Sequence, residues 1–95
     1  MNAVTLYTSN WCPYCSRAKS VLERKGLTWT EINLEDEPER RSEMIARSGG
    51  LRSVPQIFIG DRHVGGFDEL RELDLSGELD RLLGAATREP RASGA

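Results

Sequence analysis

A chain of 95 residues, 38% hydrophobic and 29% charged, reads as one soluble globular domain with a modest core. Its net charge of −2 and scattered Lys and Arg exclude the electrostatic footprint of a nucleic-acid or membrane-surface binder, and no run approaches the roughly 20 apolar residues of a bilayer span. Met1 to Thr8 lacks the basic flank and long apolar run of an export signal, so a reducing cytoplasm is expected; there a close cysteine pair is more often catalytic or metal-binding than structural.

Val4 and Leu6 alternate with Thr5 and Tyr7, predicting a strand over about 3–8. Ser9 to Pro13 forms a loop entering a helix whose face carries Tyr14, Ala18, Val21 and Leu22, and Gly26 stops that helix as a left-handed cap. A second strand spans 28–34, with Thr30, Ile32 and Leu34 on one side. Asp36 and Glu39 stand at capping-box spacing around Pro38, predicting a helix to about Ser48 that Gly49-Gly50 ends. Gln56 to Ile59 and His63 to Val64 make a hairpin across Gly60-Asp61. Gly65-Gly66 opens a third helix with Leu70 and Leu73 inward, and Ser76 caps a last helical piece carrying Leu79, Leu82 and Leu83. Past Gly84 the composition turns small and polar, which divides the chain into a domain over 1–84 and a flexible tail over 85–95. The strand–helix–strand opening demands a parallel pair and the later hairpin adds antiparallel strands. The fold class is therefore α/β, a four-stranded mixed sheet with helices on both faces.

The chemistry concentrates in Cys12-Pro13-Tyr14-Cys15, which holds both cysteines of the chain. A helix start exposes unpaired N–H groups and the positive end of the macrodipole, which stabilises a thiolate placed there and makes Cys12 the natural nucleophile. Pro13 suits the first helical position because its missing N–H would have had no partner. Cys15 lies one turn on, a neighbour able to attack a mixed disulfide on Cys12. Tyr14 either narrows access to the sulfur or belongs to the amphipathic face. Three plainer readings compete: a structural disulfide closing a very short loop stabilises little; a zinc site needs about four ligands, and with His63 the pair supplies only three; two inert buried cysteines at a strand-to-helix junction leave Pro13 unexplained.

With those residues in hand, the chain resembles the glutaredoxin family, close to its small bacterial dithiol kind. The resemblance spans about Val4 to Leu83. It rests on Leu6-Tyr7-Thr8 leading to Cys12-Pro13-Tyr14-Cys15 with Ala18-Lys19 behind, on Gly50 to Ile59, on Gly65-Gly66-Phe67-Asp68-Glu69-Leu70, and on the closing helix around Leu79 to Leu83. It implies a thioredoxin-like fold, with a cis Pro55 facing Cys12 and the Val54 backbone left to pair with glutathione as a short added strand. It also implies that Tyr14, Arg52, Ser53, Val54, Pro55, Gly66, Phe67 and Asp68 bind glutathione, Asp68 meeting the ammonium and the N–H groups of Phe67 and Asp68 the α-carboxylate. A plain turn at Gly65-Gly66 and a helix-start acid at Asp68 are the simpler accounts.

Some positions depart from the family pattern. Ser53 stands where many relatives have Thr, and keeps the hydroxyl. Ser9 stands where many have a Lys that holds the glycyl carboxylate; Arg52 is either its substitute or an ordinary loop residue. Trp11 either offers an aromatic face to a substrate or packs on its own loop. Arg17 and Lys19 either add positive potential or are solvated. His63 and Trp29 read as sheet residues.

The function implied is glutathione-dependent reduction of protein disulfides and glutathione mixed disulfides by a monomer, with glutathione as cosubstrate and no metal. Disulfide-bonded or glutathionylated proteins, ribonucleotide reductase among the candidates, are the partners. Two rivals stay open at this point: a redoxin fed by thioredoxin reductase, and a module holding an iron–sulfur cluster through Cys12 and glutathione.

Overall fold

The computed structural model describes residues 3–87. Strand β1 (Val4–Thr8) leads to helix α1 (Pro13–Arg24) and strand β2 (Thr30–Asn33). A single 3₁₀ turn (Pro38–Arg40) precedes helix α2 (Arg41–Arg47); strands β3 (Gln56–Ile59) and β4 (Arg62–Gly65) and helices α3 (Phe67–Ser76) and α4 (Glu78–Thr87) follow. The sheet has four strands in the order β2-β1-β3-β4. β1 runs parallel to β2 and antiparallel to β3, and the β3–β4 hairpin is antiparallel with a bulge between Ile57 and Phe58. This is the four-stranded mixed sheet that the element order predicts, in the thioredoxin-like form that the resemblance implies.

The period of two along β1 and β3 divides the core. Val4, Leu6, Ile57 and Ile59 pack with Ala18, Val21 and Leu22 of α1, Leu70 of α3, and Leu79 and Leu83 of α4. Tyr7 and Phe58 face the other way and pack with Ile32, Leu34 and Met44 of α2. Burying each large aliphatic or aromatic side chain contributes roughly 1.5–3 kcal/mol relative to exposure. Leu6, Tyr7 and Ile57 are fully buried on the two central strands, so this packing fixes the sheet edge from which the functional loops leave.

Four expectations are corrected. The buried stripe of α1 is Cys15, Ala18, Val21 and Leu22, while Tyr14 is 52% exposed: the stripe centres on 15, 18 and 22 and leaves residue 14 at its border. The Asp36 capping box does not form. Asn33 Oδ1 already accepts from the N–H groups of Glu35 (2.8 Å) and Asp36 (3.3 Å), the chain enters a 3₁₀ turn at Pro38, and α2 is left with seven residues. The second strand is shorter than expected, Thr30–Asn33, although Leu34 is buried just beyond it. Finally, α4 continues through Gly84 to Thr87, so the tail expected from residue 85 begins inside a helix; residues 88–95 lie outside the described residues. Gly26, at φ +73°, ends α1 as expected.

Candidate functional site

The loop carrying Cys12 starts from a fixed point. Thr8 is fully buried at the end of β1; its Oγ1 donates to Glu31 Oε2 (2.8 Å), and its carbonyl accepts from Leu34 N (2.8 Å). Lys19 Nζ lies 2.9 Å from the same Glu31 carboxylate. Burial pushes Glu31 up, but the hydrogen bonds from Lys19 and Thr8 outweigh it and hold the carboxyl below its usual range. Lys19 is thus engaged at the β1–β2 seam. Asn33 Nδ2 donates to Asn10 Oδ1 (3.0 Å), which ties the loop to the end of β2.

Cys12 is the N-cap of α1 in extended conformation, φ −143° and ψ 93°. Its Sγ accepts the N–H of Cys15 at 3.1 Å, and its carbonyl accepts from Cys15 N (3.0 Å) and Ser16 N (3.2 Å). Pro13 occupies the first turn as predicted, and that turn has no acidic side chain, so nothing competes with the sulfur for the positive end of the helix. Cys12 and Cys15 form a disulfide with Cα atoms 5.1 Å apart. The two sulfurs are not equivalent: Cys15 is 2% exposed, whereas Cys12 is half-buried and open to the surface.

Opposite Cys12 stands the start of β3. The Val54–Pro55 peptide is cis, and the Val54 carbonyl oxygen lies 3.8 Å from Cys12 Sγ. Gln56, 2% exposed, fixes this corner from below: its Nε2 donates to the Ser53 carbonyl (3.0 Å) and approaches Ser53 Oγ (3.4 Å), while its Oε1 is 2.7 Å from His63 Nε2. His63 also packs its ring 4.9 Å from Phe58 and lies within β4, so it is a strand residue, as its position in the hairpin implies.

A cleft of about 170 Å³ is lined by Tyr14, Ser53, Val54, Pro55, Gly66, Phe67, Asp68 and Glu69. The structure therefore brings together every candidate binding residue except Arg52, whose side chain is exposed and whose carbonyl accepts from Arg41 Nη1 (3.0 Å). Gly65, at φ +120°, makes the turn into α3; a side chain there would meet Glu69 at 3.0 Å. Glu69 Oε1 accepts the Gly66 N–H (2.8 Å) and so orders the first turn of α3. Glu69 is the lining residue the sequence reading missed; its signal was the three-residue spacing from Gly66, the span of a capping box.

Tyr14 and Phe67 form the cleft's aromatic wall, ring centroids 6.0 Å apart, and the Arg17 guanidinium sits 5.1 Å from the Tyr14 ring. Arg17 is consequently part of the site's margin, a contact its place off the apolar stripe does not reveal. Trp11, next to Cys12, is 94% exposed; it does not pack on its loop. Among the described residues no group of three or more His, Cys, Asp or Glu is placed to hold a metal ion, and no helix is long and apolar enough to cross a membrane.

Comparison with known proteins agrees with this geometry. The family model Glutaredoxin matches residues 4–64. A glutaredoxin of Pseudomonas aeruginosa is 52% identical over 85 residues, covering 90% of this chain and all of that one. The solution structure of a glutaredoxin from Brucella melitensis is 52% identical with a TM-score of 0.74, covering 87% of this chain and 89% of that one. A buckwheat glutaredoxin–glutathione complex is 30% identical with a TM-score of 0.79, covering 88% of this chain and 78% of that one. A thioredoxin-like sheet, a cysteine pair at a helix start and this degree of likeness together establish that the chain belongs to the glutaredoxin family of glutathione-dependent thiol–disulfide oxidoreductases, with Cys12-Pro13-Tyr14-Cys15 as its dithiol site.

Proposed function

We propose that Cys12 is the attacking thiol and Cys15 the resolving one, and that the adjoining cleft holds glutathione through Tyr14, Ser53, Val54, Pro55, Gly66, Phe67 and Asp68. The observation that carries this reading is the asymmetry of the pair: Cys12 is open at the helix N-cap and its sulfur accepts a backbone N–H, while Cys15 is buried behind it. Once reduced, the Cys12 thiolate is stabilised by that N–H and by the helix dipole. It attacks the glutathione sulfur of a mixed disulfide; the S–S bond breaks, a Cys12–glutathione disulfide forms, and the partner's thiolate leaves and takes a proton. A second glutathione thiolate then attacks that bond, giving glutathione disulfide and free Cys12. With a protein disulfide, Cys12 forms the mixed disulfide with the protein and Cys15 displaces it, closing the Cys12–Cys15 bond.

In the cleft, the exposed Asp68 carboxylate is available to an ammonium and the first N–H groups of α3 to a carboxylate. The Val54 backbone suits the extended peptide of glutathione. Arg52, outside the cleft lining, serves the distal carboxylate through its long side chain. The protein acts as a monomer in a reducing cytoplasm, on glutathionylated or disulfide-bonded proteins that include ribonucleotide reductase.

Turnover of a small glutathione mixed disulfide, coupled to NADPH through glutathione reductase, tests the roles. Cys12→Ser lowers turnover to background, whereas Cys15→Ser keeps turnover of the mixed disulfide and loses reduction of a protein disulfide. Retained activity in Cys12→Ser would refute the assignment. Reduction by thioredoxin reductase in place of glutathione would favour the redoxin reading.

A further inference from the structure

We propose that Trp11 is the docking contact for the protein half of a disulfide substrate, and that it raises turnover of glutathionylated proteins relative to small glutathione mixed disulfides. The proposal rests on the reading of Cys12 as the attacking thiol. The cleft of about 170 Å³ beside Cys12 has room for a small molecule only, so the polypeptide that carries the other sulfur must lie outside it, across the rim. Trp11 belongs to the loop between β1 and α1. It precedes Cys12 in the chain, does not line the cleft, and leaves 94% of its surface to solvent.

The cleft and the Trp11 loop are anchored at different places in the sheet. The cleft is made by the start of β3 and the start of α3, whereas the loop carrying Trp11 is tied through Asn10 and Asn33 to the end of β2. β1, which leads into the loop carrying Trp11 and Cys12, lies between β2 and β3. Exposed apolar side chains follow the same pattern. Of the large ones among the described residues, Trp11 and Tyr14 flank Cys12 and Leu51 lies two residues before Ser53; only Leu75, on α3, stands apart. Single exposed apolar residues are ordinary, but an almost fully exposed indole beside a nucleophile is the kind of side chain that anchors interfaces, through a large rigid surface and one N–H. The occupant it fits is an extended segment of a protein around a glutathionylated or half-cystine residue.

The test uses the full chain and two substrates that share glutathione: glutathionylated serum albumin, and the mixed disulfide of glutathione with cysteine. For Trp11→Ala, kcat/KM on the albumin falls about tenfold, the loss of a typical aromatic anchor, while kcat/KM on the small disulfide stays within about twofold. Trp11→Phe recovers most of the loss on the protein substrate. An equal fall on both substrates, or no fall on the albumin, overturns the proposal. A wild-type chain that turns over neither substrate overturns the underlying assignment of Cys12, and the proposal with it.

Discussion

The two faces of the sheet solve different problems. The face under α1, α3 and α4 is packed by aliphatic side chains: Val4, Leu6, Val21, Leu22, Ile57, Ile59, Leu70, Leu79 and Leu83. The face under α2 has a smaller core, built on Tyr7 and Phe58, and its cover is held by polar groups. Tyr7 O–H donates to Glu43 Oε2, Arg47 Nη1 donates back to the Tyr7 oxygen (3.0 Å), and the Arg47 guanidinium lies 4.2 Å from the Phe58 ring centroid. Burial, then the bond to Glu43, push the Tyr7 hydroxyl's pKa up, so it stays protonated as a donor. α2 buries only Met44 in its seven residues, which explains why it needs such links. Aliphatic packing thus sets how stable the domain is, while the polar face sets how its loops are held.

The largest test of that division is a matched pair on β1. Leu6→Ala removes a fully buried aliphatic side chain and is expected to cost about 2–5 kcal/mol, lowering the thermal midpoint by roughly 10–30 °C. Tyr7→Phe, one residue on, keeps the ring and removes only the hydroxyl shared by Glu43 and Arg47; about 1 kcal/mol is expected. Urea unfolding at pH 7 measures both. Equal losses would mean that the polar face carries as much of the stability as the aliphatic one, and the contrast would fail.

A smaller effect, on a different readout, is expected at Gln56. Its buried amide joins His63 to the Ser53 carbonyl, so Gln56→Leu leaves both partners unpaired and costs about 1–3 kcal/mol. The Ser53–Pro55 corner forms a wall of the proposed glutathione cleft, and its loosening raises KM for glutathione severalfold with kcat at saturation largely kept. Steady-state kinetics with glutathione varied separates the two. Loss of kcat with an unchanged KM would show that Gln56 supports the whole site and not this corner.

Much of the site could be read along the chain because its parts are local. Cys12, Pro13 and Cys15 belong to one helix start, and Gly65 to Glu69 to another, so turn chemistry and helix ends place them without any knowledge of packing. The resemblance to glutaredoxins supplied what local rules do not: that the Val54–Pro55 corner, some forty residues from Cys12, meets it, and the Val54 carbonyl does lie beside its sulfur. What was not legible depends on which of several available partners a side chain takes. Asn33 took the Asp36 N–H that Glu39 of the expected capping box would have served, Lys19 of α1 turned to Glu31 on β2, and Arg17 found Tyr14. The boundary after Gly84 rested on the change to a small, polar composition, whereas α4 runs on to Thr87. The Gln56–His63 contact crosses a hairpin whose bulge shifts the register, which a strict alternation of residues does not foresee.

The smallest effect is a pH dependence confined to the polar face. Glu43 accepts from Arg40 Nη2 (2.9 Å) and Nε (3.1 Å), and those bonds first, then the bond from Tyr7, hold its carboxyl below the usual range. A carboxyl whose folded pKa is depressed adds stability above its unfolded value, near 4.5, and loses it as the pH falls through the lower folded value. The side chain of Glu43 is 37% exposed, so solvent screening limits the contribution to below about 1 kcal/mol. Glu43→Gln is therefore expected to lose that much at pH 7 and to match the wild type once the pH is low enough to protonate Glu43 in both states. Part of the acid slope survives in the variant, because Glu31 at the β1–β2 seam has a carboxyl lowered in the same direction. Urea midpoints measured from pH 7 down to pH 2 give the two slopes. If Glu43→Gln left the slope unchanged, the ionised bridge between α2 and Tyr7 would contribute nothing, and α2 would be held by Met44, the Arg47 bond to Tyr7 and the ring packing.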